Sequence, residues 1–162
     1  MKNIKYIVLI LTSLFINSCS QDSDEQNCPQ NEIISMKING EEMQFVVSGW
    51  GIDLDSDGKG HTLQIDLTSG VFYPQQNSYA ISLKLPYKKT GNNIVKEITY
   101  LRIENTNEVE GSFTKEKLQT KVTVNKNSCF RATFSGSTII NGNQIVITDG
   151  ILDLIYDNPF EN

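Results

Sequence analysis

The sequence is poor in the residues that most enzymes are built around. It holds one histidine, His61, in 162 residues. Serine or cysteine hydrolysis of the usual kind needs a base such as His61 within reach of a nucleophile. No G-x-S-x-G elbow accompanies it, and a lone His after a Gly-rich loop reads as a surface residue. Glycoside hydrolysis needs two carboxylates at a set separation. Most of the acids fall in a polar N-terminal stretch, a loop and turns such as Glu41-Glu42, and no spacing singles out a pair. Basic residues are also in deficit, 14 Lys and Arg against 19 Asp and Glu, for a net charge of −5. That balance argues against nucleic acid as a partner and supplies no basic patch for anionic head groups. There is no internal repeat, no interior Pro- or Gly-rich linker, and only four prolines. No apolar run reaches the roughly 20 residues of a spanning helix.

What the sequence does have begins at its N-terminus. Lys2 and Lys5 precede an apolar run from Tyr6 to Ile16, broken only by Thr12 and Ser13, and small residues then lead to Cys19. A charged start, a short apolar core and a small-residue site form a secretory signal layout. Leu14-Phe15-Ile16-Asn17-Ser18-Cys19 resembles the lipobox of bacterial lipoproteins, with an aliphatic residue three before the cysteine and a small one directly before it. The resemblance implies cleavage after residue 18 and acylation of Cys19. Each buried methylene contributes roughly 0.8 kcal/mol, so two or three acyl chains hold a folded domain on a bilayer. Ser20-Gln21-Asp22-Ser23-Asp24-Glu25-Gln26-Asn27 follows without an apolar residue, which predicts a solvated tether over 19–29. Acids directly after the lipidated cysteine are similar to the surface-export tether of Bacteroidota lipoproteins. That implies the outer membrane with the domain facing the medium; a spacer facing the periplasm is the alternative.

Loss of residues 1–18 removes Lys2 and Lys5 and no acid, which moves the net charge from −5 to −7. About 130 residues remain beyond the tether, enough for one domain with one core over 30–160. With Cys19 acylated, Cys28 and Cys129 are left. In a secreted chain they read most simply as one disulfide; two separate buried thiols are the other reading.

Periodicity is two almost everywhere. Leu63, Ile65 and Leu67 alternate with Thr62, Gln64, Asp66 and Thr68. Tyr79, Ile81, Leu83 and Leu85 alternate with Ala80, Ser82 and Lys84, and Val122 and Val124 with Lys121 and Thr123. Phe130, Ala132 and Phe134 alternate with Arg131, Thr133 and Ser135. Such strands have one face on a core and one in water. Asn39-Gly40 predicts a tight hairpin between Ile33–Ile38 and Glu41–Val47. Asn141-Gly142-Asn143 joins Phe130–Ile140 to Gln144–Thr148, and Lys89–Asn93 reads as a longer loop. Gly150 predicts a bulge or bend before Ile151–Tyr156. One helical turn is plausible near Thr114–Leu118. Together these predict an all-β fold, an antiparallel β-sandwich, with a flattened lipocalin-like barrel as the alternative.

The run Phe134-Ser135-Gly136, then Ile145-Val146-Ile147-Thr148-Asp149-Gly150, then Leu152-Asp153-Leu154, is similar to the C-terminal signature of a family of small Bacteroidota lipoproteins. Met36-Lys37-Ile38-Asn39-Gly40-Glu41 resembles the start of the same domains. Arg131-Ala132-Thr133 departs from a usual Gly, and Leu152 stands in place of an aromatic. The resemblance implies a β-rich fold and an envelope location, and carries over no activity.

Two constellations remain. Asp53-Leu54-Asp55-Ser56-Asp57-Gly58 matches the first half of a D-x-D-x-D-G calcium loop. Asp53, Asp55 and Asp57 are the candidate side-chain ligands for Ca²⁺, with the Lys59 carbonyl. The twelfth position is Gln64 instead of a bidentate Glu, and an Asp/Gly-rich connecting loop explains the same residues. Trp50, Phe72 and Tyr73 sit at expected strand ends, where binding loops gather, and offer a platform for a glycan or protein partner. Ordinary core and rim aromatics are the competing reading. The sequence therefore leads to a non-catalytic, monomeric, lipid-anchored binding or accessory module. The alternatives are a lipocalin-like carrier of a small apolar ligand and a weak hydrolase with an unrecognised site.

Overall fold

The computed structural model describes residues 28–29, 31–69, 78–104, 107–126 and 129–156. Among the described residues eleven strands lie in chain order. They are β1 (Ile33–Ile38), β2 (Glu41–Gln44), β3 (Val46–Leu54), β4 (His61–Ser69), β5 (Ser78–Pro86), β6 (Gly91–Asn92), β7 (Glu97–Glu104), β8 (Asn107–Thr114), β9 (Leu118–Lys126), β10 (Cys129–Ile140) and β11 (Asn143–Ile155). One 3₁₀ turn, Lys115–Lys117, sits where the helical turn is expected.

The strands form two antiparallel sheets, ordered β2-β1-β11-β10-β9-β6 and β3-β4-β5-β7-β8. The sheets face each other as a sandwich and do not close on one another. The barrel alternative is thereby corrected: β2, β6, β3 and β8 remain sheet edges, and the space a barrel would enclose is filled. Met36, Phe113, Phe130, Tyr100 and a row of Leu and Ile side chains are fully buried between the sheets. The apolar sets read from the sequence in β4, β5, β9 and β10 are all buried, and all but Val124 of β9, which a register shift pairs with Arg131, join that layer, since alternate residues of a strand face opposite sides.

Local turns follow their residue types. Asn39 and Gly40 take φ of 51° and 88°, and Asn141 and Gly142 take 50° and 77°. Two left-handed residues in succession make the turn whose twist matches that of a hairpin. Asn143 already belongs to β11, paired with Ile140, so the second turn is two residues long instead of three.

The bend expected at Gly150 is a bulge. Phe134 pairs with Gly150 and Gly136 with Ile147, so β11 inserts one extra residue. Asp149 takes φ 54° there. The insertion reverses the parity of the strand: Ile145 and Ile147 face the core before it, Leu152 and Leu154 after it. Without the bulge one of the two pairs would point into water.

Three expectations are revised. Glu41–Val47 is not one strand; Phe45 breaks it, is buried, and carries the chain from one sheet to the other. Gly91–Asn92, expected inside a loop, forms a short strand against β9. Cys28 and Pro29, assigned to the tether, are already held by the domain: Cys28 is bonded to Cys129 with Cα atoms 5.3 Å apart, and Pro29 is buried.

Candidate functional site

The Asp-rich segment is the hairpin loop between β3 and β4, and its bonds are internal. The Asp55 amide donates to the Gly60 carbonyl, and the Gly58 amide to the Asp55 carbonyl, both at 2.8 Å. The Thr62 hydroxyl donates to Asp55 Oδ1 at 2.6 Å, and Lys96 Nζ lies 3.8 Å from the same oxygen. Asp57 Oδ1 accepts from the Lys59 amide at 3.0 Å. Asp53 lies on β3 opposite Thr62. The three carboxylates are thus spent on separate partners or positions. Among the described residues no group of three or more His, Cys, Asp or Glu converges as metal ligands do. His61 is exposed at the start of β4, and its carbonyl accepts from the Tyr87 amide.

The aromatic platform is revised where it can be seen. Ser48-Gly49-Trp50-Gly51 lies inside β3 instead of at a strand end. Ser48 is an extra residue at a register shift between Val47 and Gly49, and β3 is a sheet edge, where glycine and bulges are tolerated. Trp50 packs against the core and tilts over Tyr156, ring centroids 5.3 Å apart. Phe72 and Tyr73 lie outside the described residues, as does Cys19.

An open concave surface lies on the outer face of the six-stranded sheet. Two open hollows of about 590 and 850 Å³ share Gln119, Ser135 and Thr148 and so form one trough. It crosses β6, β9, β10 and the bulged part of β11. A bulge bends its strand and increases its twist, which accounts for concavity at this place. The register sets the lining in cross-strand rows. Asn92 pairs with Lys121, Lys121 with Thr133, and Thr133 with Ile151. Gln119 pairs with Ser135, and Ser137 with Val146. Neighbours in such rows lie roughly 4.5–5.5 Å apart.

The lining mixes polar and aliphatic groups in similar measure, and its charges are nearly balanced. Its ionic groups are Glu116, Lys117, Lys121 and Asp149, two of each sign. Asp149 is held by Lys37 at 2.7 Å, and that hydrogen bond raises the Lys37 pKa above its ordinary value. Hydrogen bonding from its own amide, then from Thr114, keeps Glu116 below the usual carboxylate range. Thr120 borders the trough beside Asn93, whose Oδ1 takes the Thr120 amide at 2.9 Å. The Thr120 hydroxyl is buried and meets no hydrogen-bond partner. A smaller hollow of about 230 Å³ lies on the other sheet, between Ser48, Asp66, Ser82 and Glu110.

Sequence reading assigned Thr133 and Ser135 to the outward face of a strand and Lys121 to that of another, but did not bring them together. The signal was present as a hydroxyl- and amide-rich outward set in β9, β10 and β11. Only the register shows that these sets adjoin. Comparison with models of known families, with curated proteins and with solved structures finds no match to the chain.

Proposed function

We propose that the protein is a lipid-anchored, non-catalytic lipoprotein of the cell envelope whose sandwich presents a binding surface outward from the membrane. The apolar run ending at Cys19, followed at once by an acidic polar segment, is the observation that carries this reading. It places acyl chains on one end of the mature chain and a folded body about ten residues downstream. The Cys28–Cys129 disulfide supports it, because such bonds persist in oxidising compartments. The resemblance to small Bacteroidota lipoproteins favours the outer membrane with the domain facing the medium. The trough on the six-stranded sheet is the contact surface, and the protein acts as a monomer.

The carrier alternative has little support, because the inter-sheet space is filled by side chains. The weak hydrolase would rest on His61 as its one candidate histidine base, a residue exposed at the start of β4.

Mass spectrometry of protein isolated from membranes tests the anchor. The expected mature chain starts at Cys19 with two or three acyl chains, and Cys19→Ala leaves the protein in the soluble fraction. An unmodified, water-soluble chain from the unmutated gene overturns the reading. Protease treatment of intact cells tests the orientation: digestion is expected, and protection assigns the domain to the periplasm.

A further inference from the structure

We propose that the trough on the six-stranded sheet is a binding site for a neutral, polyhydroxylated ligand, a short uncharged oligosaccharide, laid across β9, β10 and β11. This rests on the reading of the protein as a binding module and names the ligand class of its surface.

Gln119, Thr133, Ser135, Ser137, Gln144 and Thr148 line the trough. None of these side chains is engaged in a hydrogen bond with another described residue. Hydroxyls and primary amides each donate and accept. Sugar hydroxyls do the same, so an array of this kind matches them without fixing one polarity.

The molecule is acidic overall, yet the trough and its rim carry Lys37, Lys117 and Lys121 against Glu116 and Asp149, with Asp149 already paired to Lys37. An anionic ligand would find an excess of only one base, and a cationic one no free cluster of acids. A neutral ligand fits the balance.

Asn92, Lys121, Thr133 and Ile151 form one row across four strands, roughly 14 Å at about 4.8 Å per strand. That is an extended, open surface suited to a chain of sugar rings. Val146 and Ile151 supply aliphatic patches for the C–H faces of the rings. Among the described residues the trough offers no exposed aromatic ring, so affinity rests on hydrogen bonds that are each modest in water. Weak binding, with dissociation constants near millimolar, is the expected range.

Calorimetric titration of the full acylated chain in detergent micelles tests this. The probes are neutral oligosaccharides of glucose, mannose and galactose, with a uronic-acid oligosaccharide as the charged comparison. The expected result is saturable heat with at least one neutral probe and none with the acidic one. Ser135→Arg, which fills the centre of the trough, should abolish that heat, whereas Thr99→Arg on the other sheet should leave it unchanged. If Ser135→Arg does not fold, Gln119→Ala with Thr148→Ala is expected to weaken binding by roughly tenfold. Absence of heat with every neutral probe overturns the proposal, as does preference for the acidic probe or binding that survives the trough variants. None of these outcomes alters the mass of acylated Cys19, so the ligand class and the anchored-module reading fail separately.

Discussion

At Gly150 the two longest strands touch so closely that a side chain has no room. A Cβ there would stand 2.6 Å from the Phe134 carbonyl oxygen and 2.8 Å from its ring. Gly150→Ala must therefore move backbone or ring, and overpacking of this kind costs about 1–3 kcal/mol. Denaturant unfolding is expected to show the unfolding free energy falling by that amount, read as a lower midpoint at unchanged slope; an unshifted midpoint would sink the close-packing account. Tyr100 and Tyr156 set a second residue-scale expectation. Burial pushes the Tyr100 phenol up to about 12 from 10.0, with Tyr79 adding to the shift. Burial raises Tyr156 further in the same direction. A folded pKa above the unfolded one means the native state favours the protonated phenol. The stabilisation is complete below pH about 10 and is lost as pH rises through the folded pKa. Cooperative unfolding at alkaline pH, coincident with tyrosinate absorbance, is the expected result; tyrosines that all ionise near 10 in a still-folded chain would contradict it.

Among elements, the β3–β4 hairpin and β11 show how local chemistry and packing share control. The loop from Asp55 to Gly60 closes on its own amide bonds, and Asp55 is engaged by Thr62 and Lys96. Millimolar calcium is therefore expected to leave the melting temperature where it is. Asp55→Asn is expected to lower it slightly, because exposed ion pairs contribute only about 0–1 kcal/mol. A rise in melting temperature with calcium would show that the loop rearranges into a ligand set. In β11 the residue types announce a break at Gly150, and the break is real. Its purpose appears only in the packed state, where Ile145 and Ile147 on one side and Leu152 and Leu154 on the other must all reach one core. The strand β3 was harder to read. Its glycines look like loop residues, and only its place at a sheet edge explains why a strand tolerates them.

For the molecule as a whole, the decisive covalent link is Cys28–Cys129, which joins the start of the domain to β10 across 101 residues. In the chain-entropy model, closing such a loop stabilises the fold by on the order of 4–5 kcal/mol. Replacing both cysteines by Ala is expected to lower unfolding free energy by a large part of that figure, read from urea denaturation of oxidised and mutant protein. A difference near zero would mean that the β1–β11 pairing alone brings the two ends together.

Period-two alternation determined by itself that this chain is all-β, because a strand must sort its side chains to two faces and these residues are already sorted. Turn residues such as Asn39-Gly40 and Asn141-Gly142 determined where strands reverse, since they adopt left-handed backbone readily. The lipobox-like run and the lone histidine likewise framed the functional expectation without any coordinates. Tertiary structure alone decided which strands are neighbours, that Phe45 crosses between sheets, and that Gln119, Ser135 and Thr148 share one trough. These are contacts between residues far apart in sequence, and no local propensity encodes the register that joins them.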